Sequence, residues 1–294
     1  MNPRKLDKYF TRILYGMSFL IIAILASLLL YILVRGIPHL SIDFLTTPAK
    51  SYEAGGGIGI QLFNSLCLLL ITMLISFPIS LGAGIYLSEY ARKHWVTDAV
   101  RITIEILSSL PSIVVGLFGF LVFVVQMGYG FSIISGAMAL TVFNLPMMTR
   151  NVEEALRSVH FTQREAGLSL GLSRWETVLY VVVPESLPGM ITGVILASGR
   201  IFGEAAALIY TAGQSAPAIN WSSWNPMSIS SPLCIFRQAE TLAVHIWKVN
   251  SEGITPDGDT VSACASAVLI LVVLFFNFCA RFIGKRLHRK LTSA

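Results

Sequence analysis

The chain has 294 residues, of which 54% are hydrophobic and 13% are charged, and its mean hydropathy is +0.71. Soluble domains carry about 25% charged residues, so the composition excludes an ordinary soluble protein and indicates an integral protein of the lipid bilayer. The net charge of +5 comes without a basic and aromatic patch, so we expect no nucleic-acid partner.

Apolar stretches of about 20 residues cross a bilayer as helices, because lipid offers the backbone no hydrogen-bond partner. The sequence therefore predicts an all-α integral membrane protein with six transmembrane helices. The predicted spans are residues 13–34, 61–87, 104–127, 130–149, 189–211 and 261–283. The first stretch is too long for a removed signal peptide and lacks a small-residue cleavage site, so we expect it to remain as an anchor.

Lysine and arginine residues concentrate at alternate ends of these spans. They occur in residues 4–12, 92–101, 150–174 and 281–290, whereas the intervening loops hold only Arg35, Lys50, Arg237 and Lys248. By the positive-inside rule, both termini and segment 150–188 belong in the cytoplasm. The predicted organisation is then residues 1–35 (N-terminus and first helix), 36–60 (periplasmic loop), 61–283 (core, with periplasmic loop 212–260) and 284–294 (cytoplasmic tail).

Several features within these regions allow two interpretations. Gly55-Gly56-Gly57 in the first loop lacks the Gly-Lys-Ser/Thr of a phosphate-binding loop, which favours a hinge or turn. Arg150 closes the fourth span, where it either lines the inner mouth of a pathway or acts as a positive-inside anchor. Pro78, Pro111 and Pro146 interrupt apolar runs and indicate bent or broken helices. No spacing of Cys and His residues predicts a metal site.

The fifth span contains two charges that are costly in a bilayer, Arg200 and Glu204. A spacing of four residues predicts that both lie on one helical face. Each costs about 2.5 to 3.5 kcal/mol at a helix centre, so they either form a local ion pair or serve a pathway. A guanidinium group matches the paired oxygens of an oxyanion, and a neighbouring carboxylate would temper its affinity.

The loop at 212–260 carries two tryptophans, Trp221 and Trp224, which are typical of interface anchors. Its apolar residues at helical spacing are Ile235, Ala239, Leu242 and Ile246. This spacing predicts an amphipathic helix lying at the membrane interface. The alternative is that the loop contacts a solute-binding protein.

A polar segment between the fourth and fifth spans has a distinctive spacing. It reads Glu165-Ala166-Gly167, three residues, Gly171, nine residues, Val181, one residue, Val183-Pro184. This segment resembles the cytoplasmic "EAA" loop of binding-protein-dependent ABC importer permeases, although Gly167 replaces an Ala and Val183 a Leu. In that family the small residues of a helix near 165–180 would let it sit in a groove of an ATPase.

Three further strings are similar to the PstA-type permeases of phosphate ABC importers. They are residues 84–90 (GIYLSEY), 111–119 (PSIVVGLFG) and 200–206 (RIFGEAA). The resemblance covers residues 35–283 and implies the type I importer permease fold, with one extra N-terminal helix before a five-helix core. It also implies coupling through Glu165, Ala166, Gly167, Gly171 and Pro184. The charges discussed above predict a translocation pathway at Arg200, Glu204 and Arg150.

The same resemblance implies a multi-pass protein of a bacterial inner membrane with four partner chains. These are a sister permease forming a heterodimer, two copies of a cytoplasmic ATPase and a periplasmic phosphate-binding protein. No nucleotide-binding motif occurs in the chain, so we expect a non-enzyme without a cofactor, with ATP bound by the ATPase. The alternatives are a permease for sulfate or molybdate, the sister phosphate permease, and a scaffold or sensor that does not transport. An intramembrane enzyme finds no support, because no nucleophile turn or metal-ligand cluster occurs.

Overall fold

A computed structural model describes residues 3–50, 52–253 and 255–292. Within these ranges the chain forms helices, turns and loops without a β-strand. The helices are α1 (Pro3–Gly36), α2 (Ile42–Thr46), α3 (Gly59–Ile85), α4 (Trp95–Ser109), α5 (Ser112–Gly119), α6 (Ile133–Arg157), α7 (Phe161–Ser169), α8 (Arg174–Thr177), α9 (Val183–Phe202), α10 (Ala206–Thr211), α11 (Leu242–Glu252) and α12 (Gly258–Thr292). Short π-helical segments extend α3 to Tyr90 and α5 to Gln126, and a third joins α8 to α9.

In the part of the chain that the structure describes, four helical segments are long and apolar enough to cross a membrane, and a fifth is added if one bent pair counts as a single span. The four are Asp7–His39, Gly59–Tyr90, Arg174–Phe202 and Gly258–Gly284. The all-α membrane fold is thereby confirmed. Of the six predicted spans, the one at 130–149 corresponds to α6, which carries charges toward its C-terminus and lies among α3, α9, α10, α5 and α4.

The predicted span at 104–127 is broken near Pro111, one of the three prolines at which the sequence indicates a bend or break. Helix α4 ends at Ser109, and the next helical segment begins at Ser112 after a bend of 97°. Proline disfavours helical geometry in the residue before it, and Leu110, which precedes Pro111, is extended (φ −63°, ψ 138°). This proline therefore separates two helices.

The predicted span at 189–211 is also broken. Helix α9 ends at Phe202, and the short helix α10 follows after Gly203–Ala205. The helical segment that contains α9 begins at Arg174, before the start of the predicted span. Arg200 consequently lies in the last turn of a long helix, at a break in the chain's path.

Small residues bring the core helices close together, as is usual in membrane bundles. A Cβ atom at Gly116 would lie 2.7 Å from the Cα of Ala207, so α5 and α10 pack backbone to backbone. A Cβ atom at Gly84 would lie 2.5 Å from Cγ1 of Val152, where α3 packs on α6. These glycines of residues 84–90 and 111–119 are thus explained by packing.

Helix α1 lies at one side of the bundle, packed against α12. The contact is close at Gly36, where a Cβ atom would lie 2.6 Å from the Cβ of Ala267. Almost all described side chains of α1 are exposed. This arrangement agrees with one extra helix attached to a core.

The predicted interfacial helix in the loop at 212–260 is wrong. Helix α11 begins only at Leu242, because the Thr241 side chain accepts a hydrogen bond from the Val244 N–H and caps it. Ile235 and Ala239 lie before the helix, and Ala239 and Leu242 are buried. Packing against α12 and α3 therefore replaces the expected contact with a membrane surface.

Candidate functional site

The bundle has two ends that are named here by their segments. The "loop end" holds the segments 37–58 and 203–257, and the "motif end" holds residues 86–94 and 158–177. Helix α3 connects them, since it begins beside the first segment of the loop end and reaches Tyr90 at the motif end as one helical stretch, Gly59–Tyr90. The predicted site residues lie at the motif end or between the two ends, except Glu204, which lies at the start of segment 203–257 of the loop end.

Arg200 lies against α6 and is half-buried. Its guanidinium carbon stands 3.9 Å from the centroid of the Phe143 ring, and Nη1 lies 3.1 Å from the sulfur of Met147. No carboxylate in the described ranges lies within 4.0 Å of it. A guanidinium has five N–H donors, so most of its hydrogen-bonding capacity is not used by this chain.

The prediction that Arg200 and Glu204 share one helical face is wrong. The helix ends at Phe202, and Gly203 is its cap. Oε1 of Glu204 instead accepts a hydrogen bond from the Ala207 N–H at 3.2 Å. The carboxylate thus fixes the start of α10, and the local ion pair with Arg200, one of the two interpretations of these charges, is not formed.

Arg150 lies on the same face of α6 as the residues that Arg200 contacts. Phe143, Met147, Arg150 and Glu154 follow one another at spacings of four, three and four residues, which is one stripe along a helix. Arg150 is exposed and pairs with Glu154, with 3.0 Å between Nε and Oε1. The two predicted pathway arginines are therefore on one stripe, but only Arg150 has a carboxylate partner.

The segment with the EAA-like spacing is two helices rather than the expected single helix near 165–180. Helix α7 ends at Ser169, and the turn to α8 passes through Gly171 at φ +87°. Glycine adopts this left-handed conformation without steric cost. Gly167 is the buried residue of α7, and a Cβ atom there would lie 3.0 Å from Cγ2 of Thr177.

Three of the predicted coupling residues line one groove. It has a volume of about 370 Å³, and its lining includes Ala166, Gly167 and Pro184. Glu165 is exposed on α7. Large apolar side chains are exposed around the same segment, namely Phe161, Leu168, Leu170, Trp175 and Tyr180. The segment thus presents a groove with apolar borders that this chain leaves open.

Sequence reasoning missed a partly buried ion pair between Glu89 and Arg164. Nη2 of Arg164 lies 2.9 Å from Oε1 of Glu89, and the two side chains are 17% and 10% exposed. Both residues were present in the patterns, Glu89 in the string at 84–90 and Arg164 among the basic residues of the motif end. Their separation of 75 residues gives no local signal of the contact.

Among the residues that the structure describes, no group of three or more His, Cys, Asp or Glu side chains is placed to hold a metal ion. The Gly55–Gly57 run also contacts a distant part of the chain, because the Gly55 N–H donates to Oδ2 of Asp257 at 2.9 Å. The Asp257 carboxylate thus occupies an N–H donor that a phosphate group would need. The interpretation as a turn is therefore favoured.

Residues 80–293 match the model of the family described as "Binding-protein-dependent transport system inner membrane component". The chain is 52% identical over 293 residues to a probable ABC transporter permease protein, YqgI, of Bacillus subtilis (strain 168), and the match covers all of both chains. It is also similar to phosphate transport system permease proteins PstA. The Yersinia pestis protein is 34% identical over 86% of this chain and 82% of its own, and the Haemophilus influenzae protein is 31% identical over 96% of each.

Solved structures of ABC transporters share the fold. A chain of the MetNI methionine ABC transporter in inward-facing form superposes with a TM-score of 0.61 at 19% identity, covering 77% of this chain and 94% of its own. A chain of a bacterial alginate ABC transporter, in complex with an alginate-bound periplasmic protein, gives a TM-score of 0.66 at 13% identity, covering 97% and 96%. These likenesses concern the fold alone.

Proposed function

The chain belongs to the family of inner membrane components of binding-protein-dependent transport systems, as an ABC importer permease, and we propose that the ion it transports is inorganic phosphate. Two observations support the substrate. Several relatives that are 30–37% identical are phosphate transport permeases PstA, and Arg200 is a half-buried guanidinium without a carboxylate partner in the described chain.

Arg200 is the single residue on which the proposed pathway depends. A planar guanidinium can donate two parallel hydrogen bonds to a phosphate. Its position in the last turn of α9 is at a broken helix, and such breaks are where transporters place substrate sites. Phe143 and Met147 hold the group in place without occupying its donors with an anion.

Glu204 and Arg150 have secondary roles in this proposal. Glu204 positions the beginning of α10 beside Arg200, and its negative charge limits how tightly an anion is held, as release requires. Arg150 adds positive charge further along the α6 stripe, toward the motif end. Because it already pairs with Glu154, we assign it a smaller contribution than Arg200.

The motif end couples transport to ATP hydrolysis in a separate subunit. The groove lined by Ala166, Gly167 and Pro184, with its exposed apolar border, is the surface on which the ATPase docks. Gly167 keeps α7 close to Thr177, and Gly171 forms the turn that presents Leu170, which is 83% exposed. Glu165 contributes a charge beside this surface.

The assembly that follows has this chain, a sister permease, two ATPase copies and an outer phosphate-binding protein. The motif end and both termini face the cytoplasm, since basic residues concentrate there. The loop end, including segment 212–241, then faces the binding protein. ATP binds only to the ATPase, and the permease itself needs no cofactor.

Labelled phosphate uptake tests the proposal in cells that lack this chain and in cells that regain it. We expect loss and rescue of uptake, with competition by phosphate analogues such as arsenate. Competition by sulfate or molybdate alone would reject phosphate as the substrate but leave the assignment as a permease unchanged. Unchanged phosphate uptake in cells lacking the chain would also reject phosphate as the substrate. Phosphate uptake that does not depend on ATP would favour a scaffold or sensor.

A further inference from the structure

The motif end contains a partly buried hydrogen-bond network that joins the EAA-like segment to α3. Arg164 on α7 contacts both carboxylate oxygens of Glu89, with Nη2 at 2.9 Å from Oε1 and Nε at 3.3 Å from Oε2. It also donates to the carbonyl oxygens of Leu156, at 2.7 Å, and Val159. One side chain thus connects α7, the end of α6 and the π-helical end of α3.

Two more arginines bind the same end of α3. Nη2 of Arg101, from α4, donates to the carbonyl oxygen of Leu87 at 3.1 Å. Arg174, at the start of α8, donates to the carbonyl oxygen of Glu89, and its guanidinium carbon lies 5.0 Å from the Tyr90 ring centroid. The last carbonyl groups of a helix lack partners within it, and cations there also complement the helix dipole. The end of α3 is therefore held from three directions.

The opposite end of α3 is bonded to the loop end. Nε2 of Gln61 donates to Oε2 of Glu240 at 2.9 Å, and Nδ2 of Asn64 donates to the Glu240 carbonyl oxygen at 2.9 Å. Oγ of Ser65 accepts from the Leu242 N–H at 2.8 Å. These side chains are buried. A displacement of α3 along or about its axis must therefore also move Glu240 and the start of α11.

We propose that Glu89 is a positioning residue of the coupling mechanism, which through Arg164 passes movement of α7 to α3 and so to the loop end. This inference rests on the proposed function, in which α7 and α8 bear the ATPase. The bidentate ion pair suits the task, because its two parallel hydrogen bonds fix orientation as well as distance. Ser88 fixes the carboxylate further, with Oγ 3.0 Å from Oε1 of Glu89.

Glu89→Gln tests the inference in the complete complex with sister permease, ATPase and binding protein, reconstituted in lipid vesicles. Phosphate accumulated and ATP hydrolysed are measured together, along with the amount of ATPase that co-purifies. We expect ATPase association and basal hydrolysis as in wild type. Phosphate transported per ATP should fall at least about fivefold, the lower end of ordinary coupling between two sites. Glu105→Gln serves as the control and should change nothing, because this exposed carboxylate of α4 forms no ion pair among the described residues.

Arg164→Lys provides a second variant that keeps the charge and the fold but cannot form both bonds to Glu89. We expect a smaller loss of coupling, and the double variant Glu89→Gln/Arg164→Lys should be no worse than Glu89→Gln, because residues of one pair are not additive. Wild-type transport per ATP in both single variants would overturn the inference. Loss of ATPase association in both would also overturn it, since the pair would then merely shape the docking surface.

The wild-type complex separates failure of this inference from failure of the proposed function. If the wild type does not transport phosphate but transports sulfate or molybdate, the substrate is wrong. The ratio of transported ion to ATP, measured with that ion, then still tests Glu89. If the wild type transports phosphate and Glu89→Gln is equally coupled, only the role of Glu89 is rejected.

Discussion

Arg200 and Arg164 show two opposite ways of placing a guanidinium group in this bundle. Arg164 contacts both oxygens of a carboxylate and two backbone carbonyl oxygens. Among the described residues, the hydrogen-bond and cation–π partners of Arg200 are a thioether sulfur and an aromatic face. A guanidinium with four hydrogen bonds to neighbouring elements, such as that of Arg164, holds those elements together, whereas one without an anionic partner retains the capacity to bind an anion. The comparison is consistent with the proposal that the motif end serves structure and coupling and that the substrate binds in the middle of the bundle.

The largest effect is expected from Arg200→Gln. A hydrogen bond to a charged group contributes about 1.5–3 kcal/mol, so loss of the guanidinium should lower phosphate uptake by roughly tenfold to a hundredfold or more. This loss is measured as uptake of labelled phosphate in cells complemented with Arg200→Gln. The amount of co-purified ATPase measures assembly.

Arg150→Gln is the matched comparison for Arg200→Gln, since it removes a guanidinium on the same stripe that already has a carboxylate partner. Its uptake should remain within a few-fold of wild type, as expected for an exposed ion pair of small energetic value. Equal losses in the two variants would contradict the distinction between paired and unpaired arginines. Normal uptake by Arg200→Gln would contradict the pathway itself.

Gly167→Val should act at the motif end without affecting the pathway. Even a Cβ atom at this position would lie 3.0 Å from Cγ2 of Thr177 and 3.4 Å from Cγ2 of Val181, so a branched side chain must displace α7. Overpacking costs about 1–3 kcal/mol, which corresponds to roughly fivefold to a hundredfold in an equilibrium. We expect the amount of ATPase that co-purifies with Gly167→Val to fall by this factor relative to wild type.

Gly167→Ala provides the graded control for this variant and should lose much less ATPase. Membrane levels of both variants are measured alongside, so that loss of docking is distinguished from loss of the chain. Retention of the ATPase by Gly167→Val would show that the close packing of α7 is not needed for docking.

Gly171→Ala should have a smaller effect than Arg200→Gln or Gly167→Val. No atom lies within 4 Å of a Cβ atom at this position, so the cost comes only from the left-handed backbone at φ +87°. That conformation costs a residue with a Cβ atom about 1–2 kcal/mol, and ATP-dependent uptake should fall a few-fold. Gly171→Asn should be closer to wild type, because asparagine tolerates the conformation better. Equal behaviour of Ala and Asn would show that backbone conformation is not the cause.

The three prolines inside apolar runs show a feature that the sequence alone does not decide, namely whether a helix breaks at a proline. All three predicted bends or breaks in the same way, yet Pro78 and Pro146 lie inside the continuous helices α3 and α6, and only Pro111 separates two helices. Helices α3 and α6 pack against each other along much of their length, and neighbouring helices can stabilise a helix across a proline. The sequence around each proline does not contain this information.

The sequence by itself determined the membrane class, the approximate apolar stretches and the segment with the EAA-like spacing, because hydropathy and local spacing are properties of neighbouring residues. The tertiary structure alone decided which charges are paired. It ended α9 at Phe202 and so separated Arg200 from Glu204, and it joined Glu89 to Arg164 across 75 residues. The physical reason is that desolvation and hydrogen bonding of a charge depend on its neighbours in space, which the packing of helices sets.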